Sequence, residues 1–74
     1  HDTTRLRLMV PYEDIRTIRT LVEEYALRFD EEFGDVVTYT LDIRTDVTTI
    51  FTGLIVDASG GRVGIFPVTG AATN

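Results

Sequence analysis

The chain has 74 residues, 12 of them acidic and seven basic, for a formal charge of −5. That length holds one domain, whose core leaves only a few kcal/mol of net stability once chain entropy is subtracted. With no cysteine there is neither a disulfide framework nor a thiolate metal site, and the acidic balance disfavours polyanionic partners, which normally meet a basic stripe.

A first strand is predicted over Arg5 to Val10, where Leu6, Leu8 and Val10 alternate with Arg5, Arg7 and Met9. Pro11 ends it, because proline cannot donate to a sheet ladder but suits a helix entrance. Glu13 and Asp14 then place negative charge at the positive end of a helix dipole. Ile15, Ile18, Leu21, Val22 and Tyr25 recur at helical spacing, opposite Glu13, Arg16, Thr17, Thr20, Glu23 and Glu24. Tyr12 and Tyr25 bracket this helix and read as partly buried packing residues with hydroxyls at the rim.

A short second strand follows over Leu27 to Glu32, with Leu27 and Phe29 inward and Arg28, Asp30 and Glu32 outward. Phe33-Gly34-Asp35 makes the turn, with Gly34 able to take a positive φ. Val36 to Arg44 has the cleanest alternation: Val37, Tyr39, Leu41 and Ile43 on one face, Val36, Thr38, Thr40 and Asp42 on the other. The next stretch is crowded with β-branched residues, and propensity alone would allow a strand. Apolar spacing of three and four (Val47, Ile50, Phe51, Leu54, Ile55, Ala58) favours a helix instead. It would be capped by Thr45 or Asp46 and stopped by Ser59-Gly60-Gly61. Arg62 to Phe66 forms a last strand, closed by Pro67.

The order βαββαβ, with both crossovers right-handed, gives an α+β ferredoxin-like sandwich. Its four-stranded antiparallel sheet has spatial order 4-1-3-2 and carries both helices on one face. Leu8, Ile18, Val22, Val37, Leu41, Ile43, Phe51 and Leu54 should form its continuous core. The domain spans residues 4–67, flanked by flexible ends at 1–3 and 68–74. His1 without an initiator methionine and the tail Gly70-Ala71-Ala72-Thr73-Asn74 read as the ends of a fragment.

Several signals together carry a resemblance: Val10-Pro11-Tyr12, the run ending Leu21-Val22-Glu23-Glu24-Tyr25, the acidic turn Glu31-Glu32-Phe33-Gly34-Asp35, and the alternation from Val36 to Ile43. In that order they resemble the small C-terminal domain of the YigZ/IMPACT family, over about Leu6 to Pro67. The resemblance implies a ferredoxin-like fold similar to the C-terminal domain of elongation factor EF-G. It also implies an accessory role, assisting nucleic-acid, ribosome or protein contacts in translation control beside an N-terminal domain that this chain lacks.

The residues themselves offer little catalytic chemistry. His1 is the sole histidine, so no Ser/His/Asp set or metal-binding histidine pair can assemble. Alternation sends Asp30 and Glu32 one way and Glu31 the other, so the acidic cluster with Asp35 reads as a solvated hairpin, not a cation site. Ser59-Gly60-Gly61-Arg62 follows a helix instead of opening one and is a helix stop, not a phosphate cradle. Acylphosphatase, an enzyme of the same fold, needs an anion-binding loop after its first strand with arginine and asparagine in reach. Here that place holds Val10-Pro11-Tyr12-Glu13, and Asn74 is the lone asparagine. No catalytic residue, metal or cofactor is expected.

The open sheet face remains. Arg5, Arg7, Met9, Thr38, Thr40 and Asp42 lie on its central strands, beside Arg28, Asp30 and Glu32, without the central aromatic rings that stack bases in RNA-recognition modules. Arg5, Arg7, Thr38 and Thr40 are the candidate docking residues, a cationic strip for a carboxylate-bearing protein or the family's own N-terminal domain. The competing expectation is that Asp42, Asp30 and Glu32 neutralise both arginines across the sheet. Ribosome or RNA contact would need the full-length context, and self-association is left open. A cytoplasmic, non-membrane protein is expected, since no apolar run nears the roughly 20 residues of a bilayer span and His1-Asp2-Thr3-Thr4 lacks signal-peptide order. The alternative is an ACT-like regulatory domain binding an amino acid near the first strand–helix turn, although Val10-Pro11-Tyr12 lacks the usual glycine.

Overall fold

The alternation of apolar and polar residues is realised as four strands in a computed structural model, which describes residues 2–68. Strand β1 is Thr3–Val10, helix α1 Ile15–Tyr25, β2 Arg28–Phe33, β3 Val37–Arg44, helix α2 Thr48–Ser59 and β4 Gly64–Pro67. The sheet runs β2-β3-β1-β4 and every pairing in it is antiparallel, which is the expected ferredoxin-like order read from its other edge. Central strands β1 and β3 pair over eight residues, from Thr3 opposite Arg44 to Val10 opposite Val37.

Pro11, with φ −60° and ψ 147°, breaks the β1 ladder and feeds a 3-10 turn over Tyr12–Asp14, so α1 proper starts at Ile15. Ile18 and Val22, four apart, are its buried residues, with Ile15, Leu21 and Tyr25 packed at the margin. The chain leaves α1 in extended conformation at Ala26, and the Leu27 N–H bonds to the Asp42 carbonyl at 2.8 Å, committing the chain to the sheet. A second 3-10 turn, Thr45–Val47, introduces α2. Gly60 then takes φ 63° and the Gly61 N–H returns to the Val56 carbonyl at 3.2 Å, the left-handed stop expected of Ser59-Gly60-Gly61.

Alternate strand residues and one stripe of each helix meet in a single core: Leu6, Leu8, Val10, Ile18, Val22, Val37, Tyr39, Leu41, Ile43, Phe51, Ile55 and Val63. Tilted ring pairs brace it, Tyr25 with Phe51 at 5.9 Å and Phe29 with Tyr39 at 6.0 Å.

Several local expectations are corrected. The buried stripe of α2 is Phe51, Ile55 and Ser59, leaving Leu54 half-buried and Ile50 and Ala58 exposed. A helix this evenly apolar does not encode which side turns inward. Neither Thr45 nor Asp46 caps it: Thr48 bonds back to the Arg44 carbonyl, and Asp46 pairs with Arg44. Leu27 precedes the edge strand β2 and is exposed, its N–H tied to the Asp42 carbonyl but its side chain outside the core. Gly34 has no positive φ; its N–H bonds the Val36 carbonyl at 3.0 Å. Tyr12 is exposed, its hydroxyl donating to the Gly34 carbonyl. Strand β1 starts two residues before Arg5, and β4 starts at Gly64 instead of Arg62. The Thr45 and Val68 N–H groups bond the Asp2 and Arg5 carbonyls, whereas His1 and residues 69–74 lie outside the described residues.

Candidate docking face

Pairing register converts the outward residues of the four strands into rows across the uncovered face. One row holds Arg28, Asp42 and Arg5; the next Asp30, Thr40, Arg7 and Phe66; the third Glu32, Thr38, Met9 and Gly64. All four candidate residues, Arg5, Arg7, Thr38 and Thr40, therefore lie on one surface.

Their electrostatic situations differ. Arg5 donates from Nε to Asp42 Oδ1 at 2.7 Å and from Nη2 to Oδ2 at 3.3 Å, a two-point grip, while Arg28 Nε lies 3.6 Å from the same carboxylate. The Arg5 bonds, reinforced by the charges of Arg5 and Arg28, hold the Asp42 carboxyl below the usual carboxylate range, and the same contact raises the Arg5 guanidinium. Arg7 stands opposite Thr40 and is exposed, with no ion pair among the described residues. Of the two arginines read as anchors, one is thus engaged within the sheet and one is available.

Phe66 extends the site in a way strand periodicity on β1 and β3 did not reveal. It is opposite Arg7 and 47% exposed, and its ring lies over Gly64, where an added Cβ would come within 2.9 Å of Phe66 Cε2. A side chain at position 64 would have to displace the ring, so glycine lets Phe66 lie flat against the strand. Met9, 41% exposed, borders the same spot. The signal lay in the spacing of Gly64 and Phe66, two apart and hence on the same side of a strand.

A shallow depression of about 470 Å³ lies beyond Met9, lined by Thr38, Glu32 and the hairpin Phe33 to Val36. Another of about 250 Å³ lies among Arg5, Arg28, Asp42, Asp30, Thr40 and Phe29. A further open groove, of about 740 Å³, runs along the outside of α1 and away from this face.

On the helix side, Glu31 accepts a 2.6 Å bond from the Tyr39 hydroxyl and lies 3.6 Å from Arg19. Burial, reinforced by the Glu31 carboxylate, pushes the Tyr39 phenol well above its ordinary value. Glu31 therefore does not converge with Asp30 and Glu32, and among the described residues no group of three potential metal ligands forms. At the first strand–helix turn, Arg62 grips Asp14 through Nε at 3.0 Å and Nη2 at 2.7 Å and also meets Glu13 at 3.1 Å. The bond from Arg62 depresses the Asp14 carboxyl and closes the turn to the strand that follows α2.

Residues 8–62 match the family described as a domain of unknown function, DUF1949. The chain belongs to this family. DUF1949 is the C-terminal domain of the YigZ/IMPACT family, the group that the Val10-Pro11-Tyr12 and Glu31 to Asp35 signals resemble. A search among curated proteins found no match. Three solved structures share the fold. A crystal structure of a hypothetical protein superposes with TM-score 0.79 at 14% identity, over 92% of this chain and 34% of that one. An uncharacterised protein from Thermotoga maritima gives 0.65 at 18%, over 90% and 96%. A DUF3240 family protein from Shewanella baltica gives 0.69 at 11%, over 100% and 98%. The likeness to all three is one of fold, and this DUF1949 chain spans about a third of the length of the first. Among its described residues no helix is long and apolar enough to cross a membrane.

Proposed function

We propose that this DUF1949 domain is a non-catalytic accessory module of a YigZ/IMPACT-like protein, docking a carboxylate-bearing protein surface on its open sheet face in support of translation-related contacts. The carrying observation is Arg7: an exposed guanidinium without an ion pair among the described residues, flanked by exposed Met9 and Phe66. A guanidinium beside apolar groups suits a bidentate bond to a carboxylate in a partly dry contact, where it gains more than a solvated pair would. Arg5, held by Asp42, shapes the rim of the same surface, and Thr38 and Thr40 leave room over β3. The partner is a protein or the family's own N-terminal domain. Ribosome or RNA contact belongs to the full-length context, because a charge of −5 repels a polyanion.

Capture of binding proteins from cell extract by the immobilised parent, Arg7→Glu and Asp57→Lys tests this. Asp57 lies on the exposed side of α2. Loss of captured proteins with Arg7→Glu but not with Asp57→Lys is the expected result; equal capture by all three would remove the reading.

A further inference from the structure

Taking the docking reading as its basis, we infer that the occupant of the open face is a second copy of this chain, seated sheet to sheet about a two-fold axis parallel to the strands. Charge is the first argument. The molecule carries −5 overall, yet its open face holds Arg5, Arg7 and Arg28 against Asp30, Glu32 and Asp42 and is neutral. It is therefore a surface on which two acidic copies approach with little repulsion.

The distribution of that charge is the second. Arg7 lies towards the β4 side, while Asp30 and Glu32 lie on β2 at the opposite edge. A two-fold axis parallel to the strands lays β1 over β3 of the second copy and β4 over β2. Arg7 then stands over the second copy's Thr40, one strand spacing of about 4.8 Å from its Asp30, twice over by symmetry. An axis across the strands, through the Asp30–Arg7 row, would instead set β2 on β2 and β1 on β1, with Asp30 facing Asp30 and Arg7 facing Arg7.

Shape is the third argument. In register, β1 presents Arg5, Arg7 and Met9 beside Asp42, Thr40 and Thr38 of β3, a long row next to a short one. The parallel axis places each long row over the other copy's short row, the interlocking that sheets packed about 10 Å apart require. Four strands about 4.8 Å apart, the central two of eight residues and the outer two of six and four, present about 400 Å² of face. A pair buries about 800 Å², below the usual size of specific interfaces, so the dimer is weak and reversible, with a dissociation constant on the order of 100 μM.

Sedimentation equilibrium of the chain from about 10 μM to 1 mM, a range bracketing that affinity, is the test, with Arg7→Glu and Asp30→Arg made separately and their folding checked by thermal melting. The parent should pass from monomer to dimer. Each variant should associate about a hundredfold more weakly, because like charges then face each other twice. An equimolar mixture of the two variants should regain dimers, since the carboxylate introduced in one then meets the guanidinium introduced in the other and the contact is restored with inverted sign. A folded parent that stays monomeric overturns the inference, as does a dimer indifferent to both variants or a mixture that stays monomeric. If a charge variant melts early, Thr40→Trp, which fills the short row, must abolish the dimer. Monomers with Arg7-dependent capture of another protein leave the docking reading standing without the second copy, whereas capture indifferent to Arg7 removes the docking reading itself.

Discussion

The two faces of the sheet are made from alternate residues of the same strands, yet they solve different physical problems. On β3, Val37, Tyr39, Leu41 and Ile43 are at most 1% exposed beneath the helices, while Thr38, Thr40 and Asp42 between them are half-buried on the open side. Polar groups differ in the same way. The Tyr39 hydroxyl is satisfied by Glu31 at the edge of the core, and no buried side-chain nitrogen or oxygen among the described residues lacks a partner. The open face leaves Arg7 without an ion pair among those residues and Met9 and Phe66 in solvent. One periodicity thus encodes stability at one phase and the proposed contact at the other, and substitutions one residue apart should separate the two.

The largest expected effect is on the covered face. Leu41→Ala, at a fully buried site between sheet and helices, should cost roughly 2–5 kcal/mol and unfold much of the population of so small a domain. Urea denaturation checks it, and a variant melting with the parent would break the assigned register. Tyr39→Phe should cost roughly 1.5–3 kcal/mol, the value of a hydrogen bond to a charged acceptor, here Glu31, whose remaining partner is Arg19. The raised phenol also predicts a pH effect. Its contribution is full below the unfolded value of about 10 and is lost as the pH climbs from there towards the higher folded value, so Tyr39→Phe should flatten the alkaline limb of a plot of Tm against pH.

A smaller effect belongs to the acid limb. Asp14 and Asp42 titrate below the ordinary carboxylate value in the fold, so the unfolded chain takes up protons first as the pH falls. Their contribution is present above about pH 4 and fades below it, as the folded carboxyls protonate. Thermal melts between about pH 2 and 5 should show the decline, with Asp14→Asn and Asp42→Asn each less sensitive than the parent. Arg7→Ala is expected at the bottom of the scale, within about 0.5 kcal/mol of the parent by chemical denaturation. A larger loss would place Arg7 among the structural residues and blur the contrast between the faces.

The fold was legible because two signals agreed. Leu6, Leu8 and Val10, with Val37 to Ile43, fix period two, and Ile18 and Val22 fix a helix between them. What escaped had no such phase. In α2, apolar residues surround the axis, so nothing local distinguishes Ile55, which is buried, from Ile50, which is exposed. Leu27 looked like a core residue because alternation says which side a residue faces, not whether its side chain reaches the core. The face carrying Arg5, Arg7, Thr38 and Thr40 was readable from alternation alone. The division of labour between Arg5 and Arg7 was not, because it depends on strand register, which sets Arg5 opposite Asp42 and Arg7 opposite Thr40. Phe66 was missed for a similar reason: β4 is four residues long, too short for its period to announce a face.

Met9 is the sole methionine and sits in the open face, so its methyl group gives a single resonance at the proposed contact. The most direct measurement is that resonance in ¹³C-methyl-labelled protein, recorded dilute, concentrated and in unlabelled cell extract, for the parent and for Arg7→Glu. The account predicts that the signal shifts or broadens on concentration or in extract for the parent, and does so far less for Arg7→Glu, while the two proteins melt together. A Met9 signal unchanged under every condition, or perturbed equally in both proteins, would contradict the assignment of contact to this face.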